Sequence, residues 1–209
     1  MKDFWTSHRW PKGERRLHWF VVFEDEPLIS ACYNAHVPVL EAHNDVVDVV
    51  APEWLHMTLV SLCPPTALST PDIDSLVRVA TERLSKIPPP FVQLGPARVD
   101  GAAVTWAVYP GDGVMQVQQA VHQASIEVLG NDRTRTRGTR WWPHVTLGYG
   151  TRDDPADELA ADLAREMLPR VDVNIADVAL VNLEQDLAQR EYRWETLHTV
   201  NITGRIASS

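Results

Sequence analysis

Two short segments carry the same reactive side chains at the same spacing. Trp54-Leu55-His56-Met57-Thr58-Leu59 and Trp142-Pro143-His144-Val145-Thr146-Leu147 both read Trp-x-His-x-Thr-Leu. In a β-strand successive side chains point to opposite faces, so Trp, His and Thr of each copy share one face. The apolar residues between them fall on the other, where they can pack against helices. A repeat of this kind points to an internal duplication. If the two copies face one another across a groove, they bring together two imidazoles and two hydroxyls.

That set suits phosphodiester chemistry. Histidine titrates near neutrality, so one imidazole can be neutral while its counterpart is protonated. The neutral ring takes a proton from the attacking water or hydroxyl, and the protonated ring gives one to the departing oxygen; each role is typically worth about 10²–10⁴ in rate. Threonine hydroxyls donate to the non-bridging phosphoryl oxygens, whose charge shifts in the transition state. Which histidine is base and which is acid stays open at this level. No His-x-His, His-Glu-x-x-His or cysteine cluster is present, so no metal or other cofactor is expected.

Other candidates surround the repeat. Arg133, Arg135, Arg137 and Arg140 immediately precede the second copy. A charge run is ordinarily a solvated loop, but arginine offers a bidentate fork to phosphate, and Arg140 is nearest the motif. Trp54 and Trp142 fall on the groove face by alternation and could stack on a base or close the sheet edge. Alternation also puts Gly148 on the groove side, where a ligand could approach the backbone, and Tyr149 on the core side, outside the catalytic set. His8, His18, His36, His43, His122 and His198 lack a repeated partner and read as structural or solvent-facing, His18 and His198 being the nearest to a groove edge.

The elements that must hold these residues follow from periodicity. Leu17–Phe23, Val46–Val50, Glu53–Leu62, Phe91–Val99, Ala103–Tyr109, Pro143–Gly150, Val171–Leu183 and Tyr192–Ile202 read as strands. Helices are expected over Pro27–His36, Asp72–Ile87, Gly113–Leu129 and Ala156–Leu168. Asp100-Gly101 turns a hairpin, Pro88-Pro89-Pro90 is a stiff linker, and Asp157 and Glu158 mark a helix start. The order predicts an α+β fold with mostly antiparallel pairing.

Composition narrows the function. Hydrophobic residues make up 44% of the 209 and charged residues 22%, which excludes a disordered chain. The net charge of −9 argues against coating nucleic acid through bulk charge but leaves room for a local basic pocket. No apolar run is long enough to span a bilayer, and no signal-peptide core follows the charged N-terminus. Cys32 and Cys63 read as reduced thiols of a cytoplasmic protein. Eight tryptophans are many for this length, and some must line a surface or cleft.

With the paired His-x-Thr motifs in an α+β chain of this length, the sequence resembles the 2H phosphoesterase superfamily, near its 2′-5′ RNA ligase and cyclic phosphodiesterase branch. The resemblance runs from about Leu17 to Ile202, with Pro-His-Val-Thr-Leu at 143–147 its more specific half. It implies a bilobal fold, two mostly antiparallel sheets with outer helices and a central groove, in a single domain over 17–209; the Trp-rich N-terminal extension of 1–16 departs from the family pattern. It implies His56, Thr58, His144 and Thr146 as a catalytic set working without metal on 2′,3′-cyclic phosphates or 2′-5′ linkages. A nucleotide or RNA terminus is the expected partner, with no membrane or stable protein partner. Ligation of RNA halves, or binding of RNA ends or cyclic nucleotides without turnover, are the alternatives.

Overall fold

The computed structural model describes residues 1–23, 26–135 and 141–205. In chain order the elements are α1 (Phe4–Ser7), β1 (Arg15–Val22), α2 (Pro27–Glu41), β2 (Val47–Val49), β3 (His56–Leu62), α3 (Thr70–Leu84), β4 (Phe91–Asp100) and β5 (Ala103–Tyr109). There follow α4 (Asp112–Leu129), β6 (Thr134–Arg135), β7 (His144–Gly150), α5 (Asp157–Arg165), β8 (Val171–Asn174), β9 (Asp177–Asp186) and β10 (Glu191–Asn201). They build two five-stranded sheets, β10-β9-β1-β3-β6 and β2-β7-β5-β4-β8, called sheets A and B below. Every strand pairing is antiparallel, so the architecture is α+β with two antiparallel sheets.

The duplication extends beyond the motifs. The run β1-α2-β2-β3-α3 is repeated as β5-α4-β6-β7-α5, and β3 and β7 are the motif strands of sheets A and B. The short strand before each motif crosses to the other sheet: β2 pairs with β7, and β6 with β3. Each motif strand is therefore bordered by chain from the opposite half. Helices exchange likewise, since α3 and α4 pack together beneath sheet A while α2 and α5 cover sheet B.

Burial follows the strand period. On β1, Leu17, Trp19 and Val21 are buried in the core, while Arg16, His18 and Phe20 face the other way. Each sheet anchors one fully buried tryptophan to a helix. The Trp19 indole N–H donates to Ser125 Oγ of α4 (3.2 Å), and that of Trp106 on β5 to His36 Nε2 of α2 (3.2 Å). His36 also bonds the Cys32 carbonyl through Nδ1, a saturated core histidine inside a helix.

Several expected boundaries move, for local reasons. Helix α2 runs on to Glu41 through Pro38, and α3 starts earlier because Ser69 and Asp72 close a capping box. The expected strand 171–183 is two strands: β8 pairs with β4 in sheet B, and the chain then crosses at Ile175 and Ala176 to β9 in sheet A. Both motif strands begin at the histidine, because Pro52–Trp54 form a 3₁₀ turn and Pro143 has no N–H for a ladder.

Residues 1–10 lie across both lobes. The Lys2 N–H donates to the Gly101 carbonyl and the Asp154 N–H to that of Met1, both beside sheet B. At the other end the Trp10 N–H donates to Gln185 Oε1 of β9 (2.7 Å), and Gln185 Nε2 donates to the His8 carbonyl (2.9 Å). Phe4 and buried Trp5 pack on Tyr149 and Tyr192. No helix among the described residues is long and apolar enough to cross a membrane.

Candidate active site

The two motif strands line one groove of about 640 Å³, with His56, Thr58, His144 and Thr146 on its wall. The histidines are held alike. His56 Nδ1 lies 2.9 Å from the Trp54 carbonyl, and His144 Nδ1 lies 2.9 Å from that of Trp142. A carbonyl can only accept, so each Nδ1 carries a proton, and Nε2 is the nitrogen that gains or loses one. The repeated tryptophan thus contributes through its backbone, orienting the ring two residues on.

Cross-strand partners make the two copies differ. On sheet A, His56 and Thr58 sit opposite Val22 and Phe20; on sheet B, His144 and Thr146 sit opposite Ala107 and Thr105. Phe20 stacks on the His56 ring (centroids 4.2 Å, 20°), and Trp194 of β10 meets it edge-on (5.0 Å, 72°). Burial among these rings pushes the His56 pKa down to about 4, opposed by the Trp54 carbonyl and reinforced by the His144 charge. His144 is less buried, and Trp142 lies tilted beside it (5.6 Å, 39°). Thr105 is buried in the groove wall, and its hydroxyl has no hydrogen-bond partner among the described residues.

A bulge follows each motif. The register with β1 slips between Thr58 and Val60, and that with β5 between Thr146 and Gly148. One extra residue reverses the alternation, so Ser61 and Tyr149, each three positions past the motif threonine, both line the groove. Tyr149 therefore lines the groove while staying packed in the core beside Phe4, Trp5 and Tyr192, joined to Thr146 by a side-chain hydrogen bond, its pKa raised by burial and by Tyr192. Gly148 turns away from it: a Cβ there would lie 2.5 Å from Val47 Cγ2 and 3.0 Å from the Asp48 carbonyl. That glycine admits the crossing strand β2, not a ligand.

The substrate-binding expectations divide. Trp142 lines the groove, 39% exposed. Trp54 does not, because the 3₁₀ turn takes it off the strand; it packs edge-on against Trp194 (4.9 Å) beside a smaller cavity of about 170 Å³. Arg137 and Arg140 fall outside the described residues. Arg133 caps the edge of β3 through its carbonyl, while Arg135 lines the groove.

Arg16, Trp10 and Trp141, which sequence reasoning passed over, also line the wall, together with His18, which the sequence sets near a groove edge. The Trp141 indole donates to the Thr58 carbonyl (3.1 Å), tying one motif to the other. His18 is stacked by Trp10 (5.9 Å, 13°), and burial pushes its pKa down to about 3. The available signal was its position: Arg16, His18 and Phe20 alternate with the apolar residues of β1. His43, by contrast, pairs with Asp162 of α5 (2.9 Å) far from the groove. Among the described residues no three His, Cys, Asp or Glu side chains converge as metal donors.

A fold of two interlocked antiparallel sheets, with a His-x-Thr strand from each meeting in one groove, defines a class. The family model of the 2′-5′ RNA ligase superfamily matches residues 40–187, and the chain belongs to that family, within the 2H phosphoesterases. Solved structures share the fold. E. coli LigT solved with 3′-AMP is 16% identical over 91% of this chain and 99% of its own, with a TM-score of 0.64. The Thermus thermophilus protein TT0787 is 19% identical over 91% and 100%, with a TM-score of 0.59. The MHV ns2 PDE domain is 11% identical over 82% and 100%, with a TM-score of 0.51. No curated protein sequence matches the chain.

Proposed function

We propose that the protein is a phosphoesterase that opens 2′,3′-cyclic phosphates, or cleaves 2′-5′ phosphodiesters, of nucleotides or RNA ends. The observation that carries the reading is the pair of identically oriented imidazoles on one groove, each with a threonine two residues on. His56, neutral in its aromatic setting, is the base: its Nε2 takes a proton as water attacks phosphorus. His144, less buried, is the acid: the bond from phosphorus to the ribose oxygen breaks, and His144 Nε2–H protonates that oxygen. A phosphomonoester and a free hydroxyl result, and solvent exchange returns both rings to their starting states. Thr58 and Thr146 donate to the non-bridging oxygens, and Thr105 stands beside Thr146 as a third hydroxyl. Trp142 offers a ring for a base. If an RNA hydroxyl replaces water as the attacking group, the same residues perform ligation.

The test is incubation of pure protein with 2′,3′-cyclic nucleotides and with 2′-5′ dinucleotides, with and without a chelator. Turnover of either class, unaffected by chelator, is expected. Binding without turnover would replace the enzyme by a binder of such ends, and loss of turnover with chelator would overturn the two-histidine mechanism.

A further inference from the structure

The two halves of the duplicated fold place opposite charges at matching register positions. Ser61 on sheet A lies in register between His18 of β1 and Arg135 of β6. Its counterpart on sheet B, Tyr149, lies between Ala103 of β5 and Asp48 of β2. Arg135 and Asp48 thus hold the same place in the two halves with opposite charge. Asp48 is paired with Arg190 (3.2 Å), whereas Arg135 has no ion-pair partner among the described residues and lines the groove.

A second cation approaches from the neighbouring strand. Arg16 lies two residues before His18 on the groove face of β1. Its Nε donates to Glu14 (2.5 Å) and its guanidinium lies 4.2 Å from the Trp10 ring centre, which fixes the fork without using its terminal nitrogens. β1 and β6 flank β3, so their backbones stand about 10 Å apart, within reach of two arginine side chains meeting over Ser61. From Thr58 to Ser61 is a step of roughly 7–10 Å along the strand. That step is comparable with the separation of successive phosphates on a nucleic-acid strand.

We propose that Arg16, Ser61 and Arg135 form a second phosphate subsite, which receives the 5′-phosphate of a nucleotide whose cyclic phosphate lies between His56 and His144. The inference rests on the proposed function and adds a direction: the 5′ side of the substrate runs over sheet A. Two guanidinium forks and a hydroxyl can donate to one phosphate together, and among the described residues lining the groove no arginine stands on sheet B. On a chain of net charge −9 such a subsite selects a phosphate by local geometry rather than by bulk attraction.

The experiment compares kcat/KM for a nucleoside 2′,3′-cyclic phosphate and for the same compound bearing a 5′-phosphate. The phosphorylated substrate is expected to be favoured about tenfold, the worth of one or two charge-assisted hydrogen bonds. Arg16→Ala and Arg135→Ala each reduce that preference severalfold and together abolish it. Arg135→Lys keeps part of it, retaining the charge but not the fork. Arg78→Ala, on the exposed surface of α3, leaves it intact. Equal kcat/KM for the two substrates in the wild type, or a preference undiminished in the double variant, overturns the subsite. If neither substrate reacts, the catalytic reading fails by itself. The subsite is then judged by binding of a nucleoside 3′,5′-bisphosphate against its 3′-monophosphate, read by tryptophan fluorescence. The same tenfold difference with the same arginine dependence supports it, and equal affinities overturn it.

Discussion

The two copies of Trp-x-His-x-Thr-Leu have the same backbone bond to the imidazole, the same threonine spacing and the same bulge, yet different surroundings. The difference comes from the neighbouring strand. Where β1 places Phe20 beside the first motif, β5 places Thr105 beside the second. One histidine is consequently enclosed by aromatic rings, and the other stands at an open, hydroxyl-bearing wall. The motif is repeated, and the strand beside each copy gives its imidazole a different setting, with the pKa of His56 pushed down by burial. Acid–base catalysis needs one ring neutral and the other protonated, and a low pKa favours the neutral form of His56.

The largest effect expected is loss of either ring. His56→Ala and His144→Ala should each lower kcat by about 10²–10⁴. The double variant should be little worse than the worse single, as single-turnover kinetics would show; a fully active double variant would sink the mechanism. Next come the hydroxyls. Thr146→Val should cost about 10² in kcat as a donor to developing charge. Thr105→Val should cost less, and a neutral result there would confine the oxyanion contacts to the motif threonines.

Acid should expose the enclosed side in the stability of the fold. His56 and His18 have folded pKa values of about 4 and about 3, below the ordinary 6.5. The unfolded chain therefore binds more protons between those values. Stability is complete above 6.5 and falls as pH drops, by roughly 2 kcal/mol for each histidine at pH 5. Urea unfolding at pH 7 and pH 5 measures this, and His18→Asn should remove its share.

The smallest expected effect sharpens the comparison most. Phe20→Thr makes sheet A resemble sheet B, so water should reach His56. The acid limb of the kcat/KM profile should then move up by about one unit from near 4. An unmoved limb would mean that the aromatic stack does not set the proton affinity of His56.

Much of the site was legible in the sequence, for a definite reason. Within a strand the period of two depends on local backbone geometry alone, so His56 with Thr58 and His144 with Thr146 could be placed on common faces. Tyr149, Ser61 and Gly148 could not, because a bulge is fixed by which strand pairs alongside and where the register slips. Trp54 lies off the groove because the Pro52–Trp54 turn ends before the strand begins, so the alternation does not extend to it. His18 could be set near a groove edge but given no role, because alternation on β1 acquires meaning only when that strand is known to border the first motif.

By itself, then, the sequence determined a duplicated strand motif with two titratable rings and two hydroxyls, an α+β order of elements, and an acidic body with basic residues gathered before the second motif. Those properties follow from residue type and short-range period. Tertiary structure alone decided that the short strands would exchange between sheets and that Phe20 would enclose one histidine while Thr105 opens the other. It also set Arg135 and Asp48 at matching positions with opposite charge. Each of these is a contact between residues far apart in the chain, made by strand pairing and register, which no local pattern encodes.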